Sequence, residues 1–248
     1  MTAIDPEPTP DAAIARRAIP LLDLTDLGDA CTAGAIDALC ARAREHGVAA
    51  VCVWPQYVTL AARGLAGSPV RIATVVNFPA GGDDIERAVQ DTTEALADGA
   101  HEIDLVLPYR ALLSGDAATA QGMVEAVREV CGKHWLKVIL ETGTLETEAR
   151  IVEASRLAMA AGADFLKTST GKSAVSATPM AAEAMLRTIR DHAGDRSVGL
   201  KVSGGLRTVS NAGLYLDLAD RIMGPDWASP RTFRLGASGL LAELAAAR

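Results

Sequence analysis

The feature that most constrains the fold of this chain is a regular alternation of short β-rich runs with longer runs rich in alanine, leucine and glutamate. Eight runs predict strands: IPLLDLT from Ile19, AAVCVW from Ala49, IATVVNF from Ile72, EIDLVLP from Glu102, LKVILET from Leu136, DFLKTS from Asp164, VGLKVSG from Val198 and FRLGAS from Phe233. Eight strand–helix units in 248 residues, with no linker-like break inside, predict one closed (β/α)8 barrel, the TIM-barrel architecture.

The runs between these strands carry helix signals. DDIERAVQDTTEALADG has acidic residues in its first turn and Gly99 at its end, and ATPMAAEAMLRTIRDHAG begins near Pro179. An open, doubly wound sheet is the alternative, but no glycine fingerprint follows the first strand. The N-terminus has acids and prolines where a signal peptide would be basic and then apolar. We therefore expect a flexible lead-in and a short helix over residues 1–18, and the barrel over residues 19–248.

Each predicted strand divides by its period of two into an aliphatic face and a face with ionisable groups. The ionisable faces carry Asp23, Glu102, Asp104, Lys137, Glu141, Lys167 and Lys201. A parallel sheet covered by helices on both sides should be apolar on both faces. A closed barrel explains the pattern, because its helices cover the aliphatic face while the charged face points into the lumen.

Composition excludes several classes of partner. The formal net charge of −7 argues against nucleic acids and anionic membranes. No apolar stretch approaches the roughly 18 residues that span a bilayer. The four cysteines, which are Cys31, Cys40, Cys52 and Cys131, are widely spaced, as free thiols of a reducing cytosol are. We therefore expect a cytoplasmic protein.

Two short motifs resemble known binding sites but fail on spacing. HEIDL from His101 has Leu105 where a zinc motif needs its second histidine, so no metal site is expected. GKS from Gly171 resembles the end of a P-loop, but the position that needs the early glycine is Leu166. Lys167, in the strand just before, therefore needs another explanation.

The chain contains only five lysines, and Lys137, Lys167 and Lys201 lie inside predicted strands. A second ammonium about 4 Å away, at an effective dielectric near 20, costs a lysine's charged form roughly 4 kcal/mol. That is up to about 3 pKa units, and apolar surroundings lower the pKa further. Lys167 and Lys201, on neighbouring strands, are thus predicted to make one free amine able to form a Schiff base. The alternative is a structural ion-pair network with Glu102, Asp104 or Glu141.

Glycine-rich segments follow the last strands, where barrels usually bind phosphate. SGG from Ser203 follows the seventh strand, and GASG from Gly236 follows the eighth and opens the final helix. Backbone N–H groups at such places attract anions. Gly171 and Lys172 would complete the phosphate site from the sixth loop.

These motifs together resemble the deoxyribose-phosphate aldolase family, whose members are class I aldolases with a TIM-barrel fold. The similarity runs from about Leu21 to Leu241 and includes LLDLT, EIDLVLPYRALLSGD, LKVILETG, GADFLKTSTGK, LKVSGGLRT and RLGAS. The resemblance implies reversible cleavage of 2-deoxy-D-ribose 5-phosphate to D-glyceraldehyde 3-phosphate and acetaldehyde, a small-molecule substrate, and no cofactor. Dimers are common in the family, so a homodimer is the assembly to expect.

The resemblance also assigns residues to roles. Lys167 corresponds to the Schiff-base lysine, Lys201 to the lysine that lowers its pKa, and Asp104 to the proton-relaying carboxylate. The phosphate-binding positions are Gly171, Lys172, Gly204, Gly205, Gly236 and Ser238, and Asp23, Thr25 and Cys52 are expected near the pocket.

The chain departs from the family pattern at one phosphate-binding position, where Gly239 replaces a frequent serine. A weaker preference for phosphorylated substrates is therefore expected. Two other functions stay open: a Schiff-base barrel aldolase acting on a different sugar phosphate, and a barrel that binds or isomerises a sugar phosphate without a covalent step.

Overall fold

Eight parallel strands pair in chain order, and the eighth pairs with the first, which closes a barrel. This computed structural model describes residues 10–248. The strands are β1 (Leu22–Asp26), β2 (Ala50–Val53), β3 (Arg71–Val76), β4 (Glu102–Val106), β5 (Trp135–Ile139), β6 (Phe165–Lys167), β7 (Gly199–Ser203) and β8 (Phe233–Ala237). The predicted (β/α)8 barrel is confirmed, and the alternative of an open sheet is wrong.

Helices surround this barrel. They are α1 (Pro10–Ala18), α2 (Ala33–His46), α3 (Val58–Gly64), α4 (Ile85–Ala97), α5 (Tyr109–Leu113), α6 (Ala117–Cys131), α7 (Thr142–Leu145), α8 (Glu148–Ala160), α9 (Pro179–His192), α10 (Val209–Met223) and α11 (Leu240–Ala247). Side chains cap several N-termini; the Thr178 hydroxyl, for example, accepts from the Ala181 N–H, with Pro179 beginning the helix. Within residues 10–248, no helix is long and apolar enough to cross a bilayer.

The first strand begins later than the sequence predicts. Ile19–Leu21 forms a short 3-10 helix, and β1 starts at Leu22. Pro20 explains the difference, because its ring fixes φ near the helical value and removes the N–H that a strand would use. The expected strand from Ile19 is thus three residues too long at its start.

Helix α1 contacts α10 and α11. Its alanine face is buried, including Ala15 and Ala18. Arg17 adds a bidentate pair with Asp220, with both N–O distances at 2.8 Å. The lead-in and short helix were expected over residues 1–18; residues 1–9 lie outside the described residues, and the proposed boundary at residue 18 stays a prediction.

Strand register aligns the ionisable residues in the lumen. Lys167 on β6 is the register partner of Lys201 on β7, and Asp104 on β4 is the partner of Lys137 on β5. The alternate residues of these strands, such as Leu166 and Leu200, belong to the hydrophobic core beneath the helices. The barrel therefore collects charge from several strands in one narrow interior.

Candidate active site

The barrel interior contains a buried group of charged side chains, which we call the lumen cluster. Its members are Asp23, Glu102, Asp104, Lys137, Lys167, Lys201 and Arg234, and each is at most 2% exposed. They come from six different strands. Burying so much charge is costly unless every group is paired. The contacts within the cluster show how this pairing is arranged.

Asp104 is the centre of the cluster. Its Oδ2 atom accepts hydrogen bonds from Lys167 Nζ at 2.8 Å and from Lys201 Nζ at 2.7 Å. Its Oδ1 atom accepts from Lys137 Nζ at 2.7 Å. Because Lys167 and Lys201 bind the same oxygen atom, their two nitrogens are close neighbours inside the barrel.

The other two carboxylates hold the remaining cations. Asp23 lies 2.5 Å from Lys201 Nζ through Oδ2 and 2.5 Å from Arg234 through Oδ1. Glu102 lies 2.6 Å from Lys137 Nζ and 3.0 Å from Arg234. Each carboxylate thus bridges at least two cations. Among the three lysines of the lumen cluster, Lys167 has the fewest acidic partners.

The lysines of the cluster differ in the direction of their pKa shifts. Burial lowers the pKa of Lys167, the ammonium of Lys201 lowers it further, and Asp104 only partly opposes them. Burial also acts to lower the pKa of Lys201, but the carboxylates of Asp104 and Asp23 outweigh it and raise that pKa. Lys167 is therefore the side chain predisposed to be a neutral amine.

The carboxylate of Asp104 stays ionised. Burial acts to raise its pKa, but Lys137, Lys167 and Lys201 outweigh burial and hold the pKa well below its usual value. With three carboxylates ionised, the cations of Lys137, Lys201 and Arg234 balance the charge of the lumen cluster. A neutral Lys167 leaves this balance intact, whereas a protonated Lys167 adds an excess positive charge.

The structure differs from the predictions in two respects. The second ammonium was expected to dominate the pKa of Lys167, whereas burial is the largest influence on it. Three acids were expected as possible structural partners of Lys167 and Lys201, and Asp104 is the one that contacts both of these lysines. Glu141 instead accepts from Thr170 Oγ1 at 2.5 Å and from Ser173 Oγ at 3.0 Å.

A cavity of about 530 Å³ opens at the carboxyl ends of the strands. All of the predicted phosphate-binding residues line it, namely Gly171, Lys172, Gly204, Gly205, Gly236 and Ser238. Thr25 and Gly239 also line it. These residues lie at or after the carboxyl ends of β1, β6, β7 and β8, and the loops after the seventh and eighth strands are where barrels of this architecture usually bind phosphate groups.

Three glycines of the cavity rim require their lack of a side chain. Gly171, Gly204 and Gly205 have φ values of 78°, 89° and 84°, a region that other residues rarely adopt. A Cβ atom on Gly204 would lie 2.6 Å from the side chain of Ser176. The backbone can therefore approach a ligand closely in these loops.

Lys172 supplies a cation at the same rim. Its Nζ lies 3.0 Å from Oδ1 of Asp29, whose side chain is 94% exposed. An exposed ion pair of this kind contributes little stability. Lys172 can therefore exchange this partner for an anionic ligand at small cost.

The cavity and the lumen cluster meet at Gly236. A Cβ atom at this position would lie 3.0 Å from Cε of Lys201 and 2.7 Å from Oγ of Ser203. Lys167, Lys201 and Asp104 themselves lie beneath the cavity rather than along its walls. The cavity thus borders the lumen cluster at Lys201.

The remaining predicted residues differ in their positions. Asp23 is part of the lumen cluster, and Thr25 donates from Oγ1 to the Asp23 carbonyl at 2.8 Å. Cys52 is fully buried, with Sγ 4.0 Å from Oδ2 of Asp104, and its burial raises the thiol pKa. Cys52 therefore packs against the cluster as a neutral thiol.

Aromatic rings close the lower end of the lumen. The Arg234 guanidinium lies over Trp135 and Phe165, at 5.3 and 5.7 Å from the ring centroids. Arg71, which contacts Glu102 at 2.6 Å, also lies over the Trp135 ring, at 4.5 Å from its centroid. Among the described residues, no group of three histidine, cysteine or carboxylate side chains is arranged to hold a metal ion.

A family model for the DeoC/LacD family aldolases matches residues 17–224. The chain belongs to this aldolase family. A curated relative from Agrobacterium fabrum, named deoxyribose-phosphate aldolase, is 53% identical over 226 residues, which are 89% of this chain and 86% of the relative.

Solved structures agree with this membership. A crystal structure from Coccidioides immitis, provisionally assigned as a deoxyribose-phosphate aldolase, is 32% identical with a TM-score of 0.81, and covers 94% of this chain and 85% of its own. One from Toxoplasma gondii with the same provisional assignment is 27% identical with a TM-score of 0.87, and covers 96% and 97%. The predicted resemblance to deoxyribose-phosphate aldolases is confirmed.

Three members of the site of this aldolase have no catalytic or binding role in the predictions from the sequence. Lys137 was visible on an ionisable strand face, yet it received no role. Arg234 shares its face with Gly236 in β8, and this period-two relation was the available signal. Glu141, with φ at 55°, holds the loop that carries Gly171 and Lys172 through its bonds to Thr170 and Ser173. No local motif predicts that conformation.

Proposed function

We propose that this chain is a class I aldolase that reversibly cleaves 2-deoxy-D-ribose 5-phosphate to D-glyceraldehyde 3-phosphate and acetaldehyde through a Schiff base on Lys167. Membership of the aldolase family and the name of the curated relative support the reaction. The observation that carries the mechanism is the position of Lys167, which is buried in the lumen cluster and shares Oδ2 of Asp104 with Lys201; this burial lowers the pKa of Lys167.

The reaction begins at the aldehyde carbon of the open-chain sugar. The neutral amine of Lys167 donates its electron pair to C1, and the carbonyl oxygen takes up a proton to give a carbinolamine. Loss of that oxygen as water leaves an iminium ion. The positive nitrogen then accepts electrons more readily than the original carbonyl did.

Cleavage follows from this electron demand. The C3 hydroxyl loses its proton, the C2–C3 bond breaks, and its electron pair moves toward the iminium nitrogen. The products are D-glyceraldehyde 3-phosphate and an enamine on Lys167. Protonation of the enamine at C2 and addition of water at C1 release acetaldehyde and regenerate the free amine.

Asp104 and Lys201 support these steps in different ways. Asp104 relays the protons through Oδ2, the oxygen that contacts both lysines, with a water molecule as the link to the substrate. Lys201 stays protonated because its pKa is raised, and its charge keeps Lys167 neutral. Asp23 holds Lys201 in place through the contact at 2.5 Å.

The phosphate group of the substrate binds at the cavity rim. Backbone N–H groups around Gly204, Gly205, Gly236 and Ser238 supply donors, and Lys172 supplies charge. This end of the cavity anchors C5, so that C1 reaches Lys167 below. Thr25, on the neighbouring strand β1, also lines the cavity and is available to contact the sugar hydroxyl groups.

Borohydride reduction in the presence of acetaldehyde tests this proposal. We expect an added ethyl group on Lys167, located by peptide mass spectrometry, because reduction converts the Schiff base into a stable secondary amine. Lys167→Met should abolish labelling and lower kcat at least about a thousandfold. Lys133→Met, which changes an exposed lysine, is the matched control and should keep both.

Two results would point to the other functions. A protein that turns over or binds sugar phosphates with no adduct on Lys167 would be a non-covalent isomerase or binding barrel. A protein labelled on Lys167 that cleaves another sugar phosphate faster than deoxyribose 5-phosphate would be an aldolase of different specificity.

We also propose a cytoplasmic location, which the free state of all four cysteines supports. The expected homodimer stays a prediction, and light scattering of the purified protein would test it.

A further inference from the structure

We infer that Lys137 is a positioning residue for the aldol cleavage. It donates a hydrogen bond to Oδ1 of Asp104, so that the other oxygen, Oδ2, faces both Lys167 and Lys201. This inference rests on the proposed function, because it assigns a task within the same site. Lys137 does not line the cavity, so it acts through Asp104 and not on the substrate.

The contacts of Lys137 are those of a side chain held rigidly. Its Nζ lies 2.7 Å from Oδ1 of Asp104 and 2.6 Å from Oε2 of Glu102, and it is fully buried. Asp23 Oδ2 is a further carboxylate oxygen, 3.7 Å away. An ammonium group has three N–H donors, and the two short contacts engage two of them.

Asp104 needs this hydrogen bond from Lys137 because a carboxylate has two equivalent oxygens. The terminal torsion of an aspartate is broad and roughly two-fold, so either oxygen could turn toward the reacting amine. With Oδ1 bound to Lys137, only Oδ2 is left to exchange protons near Lys167 and Lys201. Catalytic groups must hold their geometry within about half an ångström to act efficiently.

Lys137 also contributes to the charge balance of the lumen cluster, so a test must separate charge from position. The groups that face it and its partners are Asp23 on β1, Cys52 on β2, Arg71 on β3, Glu102 and Asp104 on β4, Lys167 on β6, Lys201 on β7 and Arg234 on β8. Removing only the Lys137 charge leaves excess negative charge, which raises the pKa of Lys167.

A charge-neutral double variant makes the separation. Lys137→Met alone breaks a buried ion pair and is expected to be destabilised. Adding Glu102→Gln removes one negative charge along with the positive one, so the net charge of the cluster is unchanged. Glu102→Gln alone is the matched control, because Lys137 still holds Asp104 in that variant.

The experiment compares the wild type, E102Q, K137M and the double variant by melting temperature, kcat, KM and the pH profile of kcat on 2-deoxyribose 5-phosphate. We expect the double variant to melt near E102Q and to keep the wild-type KM and the wild-type ascending limb, because the net charge of the lumen cluster is the same as in the wild type. E102Q alone has one extra positive charge, so its ascending limb should lie at lower pH. The maximal kcat of the double variant should still be about tenfold or more below that of E102Q. The single variant K137M should shift the ascending limb to higher pH.

Recovery of the E102Q kcat in the double variant would overturn the inference, since charge balance alone would then explain Lys137. The wild-type protein keeps this result distinct from failure of the proposed function. Absence of a borohydride adduct on wild-type Lys167 would overturn both, whereas an adduct combined with full kcat in the double variant overturns only the role of Lys137.

Discussion

The floor of the site, which is the lumen cluster, is made by strand side chains, whereas its rim, which is the set of residues that line the cavity, is made mainly by loops. The lumen cluster draws seven charged groups from six strands, each at most 2% exposed. The rim presents mainly backbone, with glycines at positive φ, and two cations, Arg207 and Lys172, of which Lys172 is paired with an exposed acid. The difference suggests a division of labour in which the floor performs the chemistry on the aldehyde and the rim recognises the phosphate.

Two substrates can test this division. Floor variants should lower kcat equally for 2-deoxyribose 5-phosphate and for 2-deoxyribose, because the reacting carbons are the same. Rim variants should raise KM for the phosphorylated sugar only, because its phosphate is the group that they contact. A residue that does not follow this rule would show where the two regions are coupled.

The largest effect after loss of Lys167 is expected for Lys201→Met. Removing a neighbouring positive charge favours the protonated form of Lys167, so the pKa of Lys167 rises and less free amine is present at pH 7. Each unit of increase costs about tenfold in free amine. We expect kcat at neutral pH to fall about a hundredfold on both substrates, with the ascending limb of the pH profile moved to higher pH. An unmoved limb would contradict the assigned role of Lys201.

Gly236→Ala should have the next largest effect. The added methyl group would contact Cε of Lys201 at 3.0 Å and Oγ of Ser203 at 2.7 Å, so the lysine or the strand must shift. We expect kcat to fall about tenfold on both substrates, as for a small misplacement of catalytic groups. Gly239→Ala is the matched control, because a Cβ there meets no atom within 4 Å.

Lys172→Met should change the rim alone. Loss of a charge-assisted hydrogen bond to phosphate costs roughly 1.5–3 kcal/mol, so KM for the phosphorylated sugar should rise at least about tenfold. Its kcat, and both constants for 2-deoxyribose, should stay within about twofold. Asp29→Asn is the control, since it frees Lys172 and should not raise KM. A fall in kcat on both sugars would place Lys172 with the floor.

Gly239→Ser should have the smallest effect. Gly239 lines the cavity and is the N-cap of α11, with φ at −105° and space for a side chain. The new hydroxyl could donate to phosphate, and we expect KM for the phosphorylated sugar to fall a few-fold. The same hydroxyl can cap α11, but serine exceeds glycine at an N-cap by only a few tenths of a kcal/mol, so the melting temperature should rise by about 1 °C at most. An unchanged KM would contradict the expectation that Gly239 weakens phosphate preference.

The sequence predicted the barrel because period two and strand–helix alternation are local signals. The same periodicity placed Lys137, Lys167 and Lys201 on the inner face. It could not say which carboxylate each lysine meets, since the carboxylates on β1 and β4 are placed by barrel closure and register. The pairing of Lys201 with Asp23 depends on closure, and that of Lys137 with Glu102 and Asp104 depends on register.

Other features were hidden for physical reasons that differ from case to case. Pro20 turned a predicted strand start into a 3-10 helix, which overrides the apolar character of its neighbours. Glu141 adopts a positive φ without glycine, and its bonds to Thr170 and Ser173 help to keep it there. Such a conformation depends on contacts from a distant part of the chain, so no local pattern reveals it.

Trp135, Phe165, Arg71 and Arg234 pack together at the amino-terminal ends of their strands, the end of the barrel opposite the cavity. We therefore expect solvent to reach the enamine from the cavity side, along the route that the substrate itself occupies. Isotope exchange between bulk water and the two-carbon fragment should therefore be gated by departure of D-glyceraldehyde 3-phosphate. The enzyme would keep the nucleophilic C2 of the enamine inside the barrel, available to the next aldehyde that enters through the cavity.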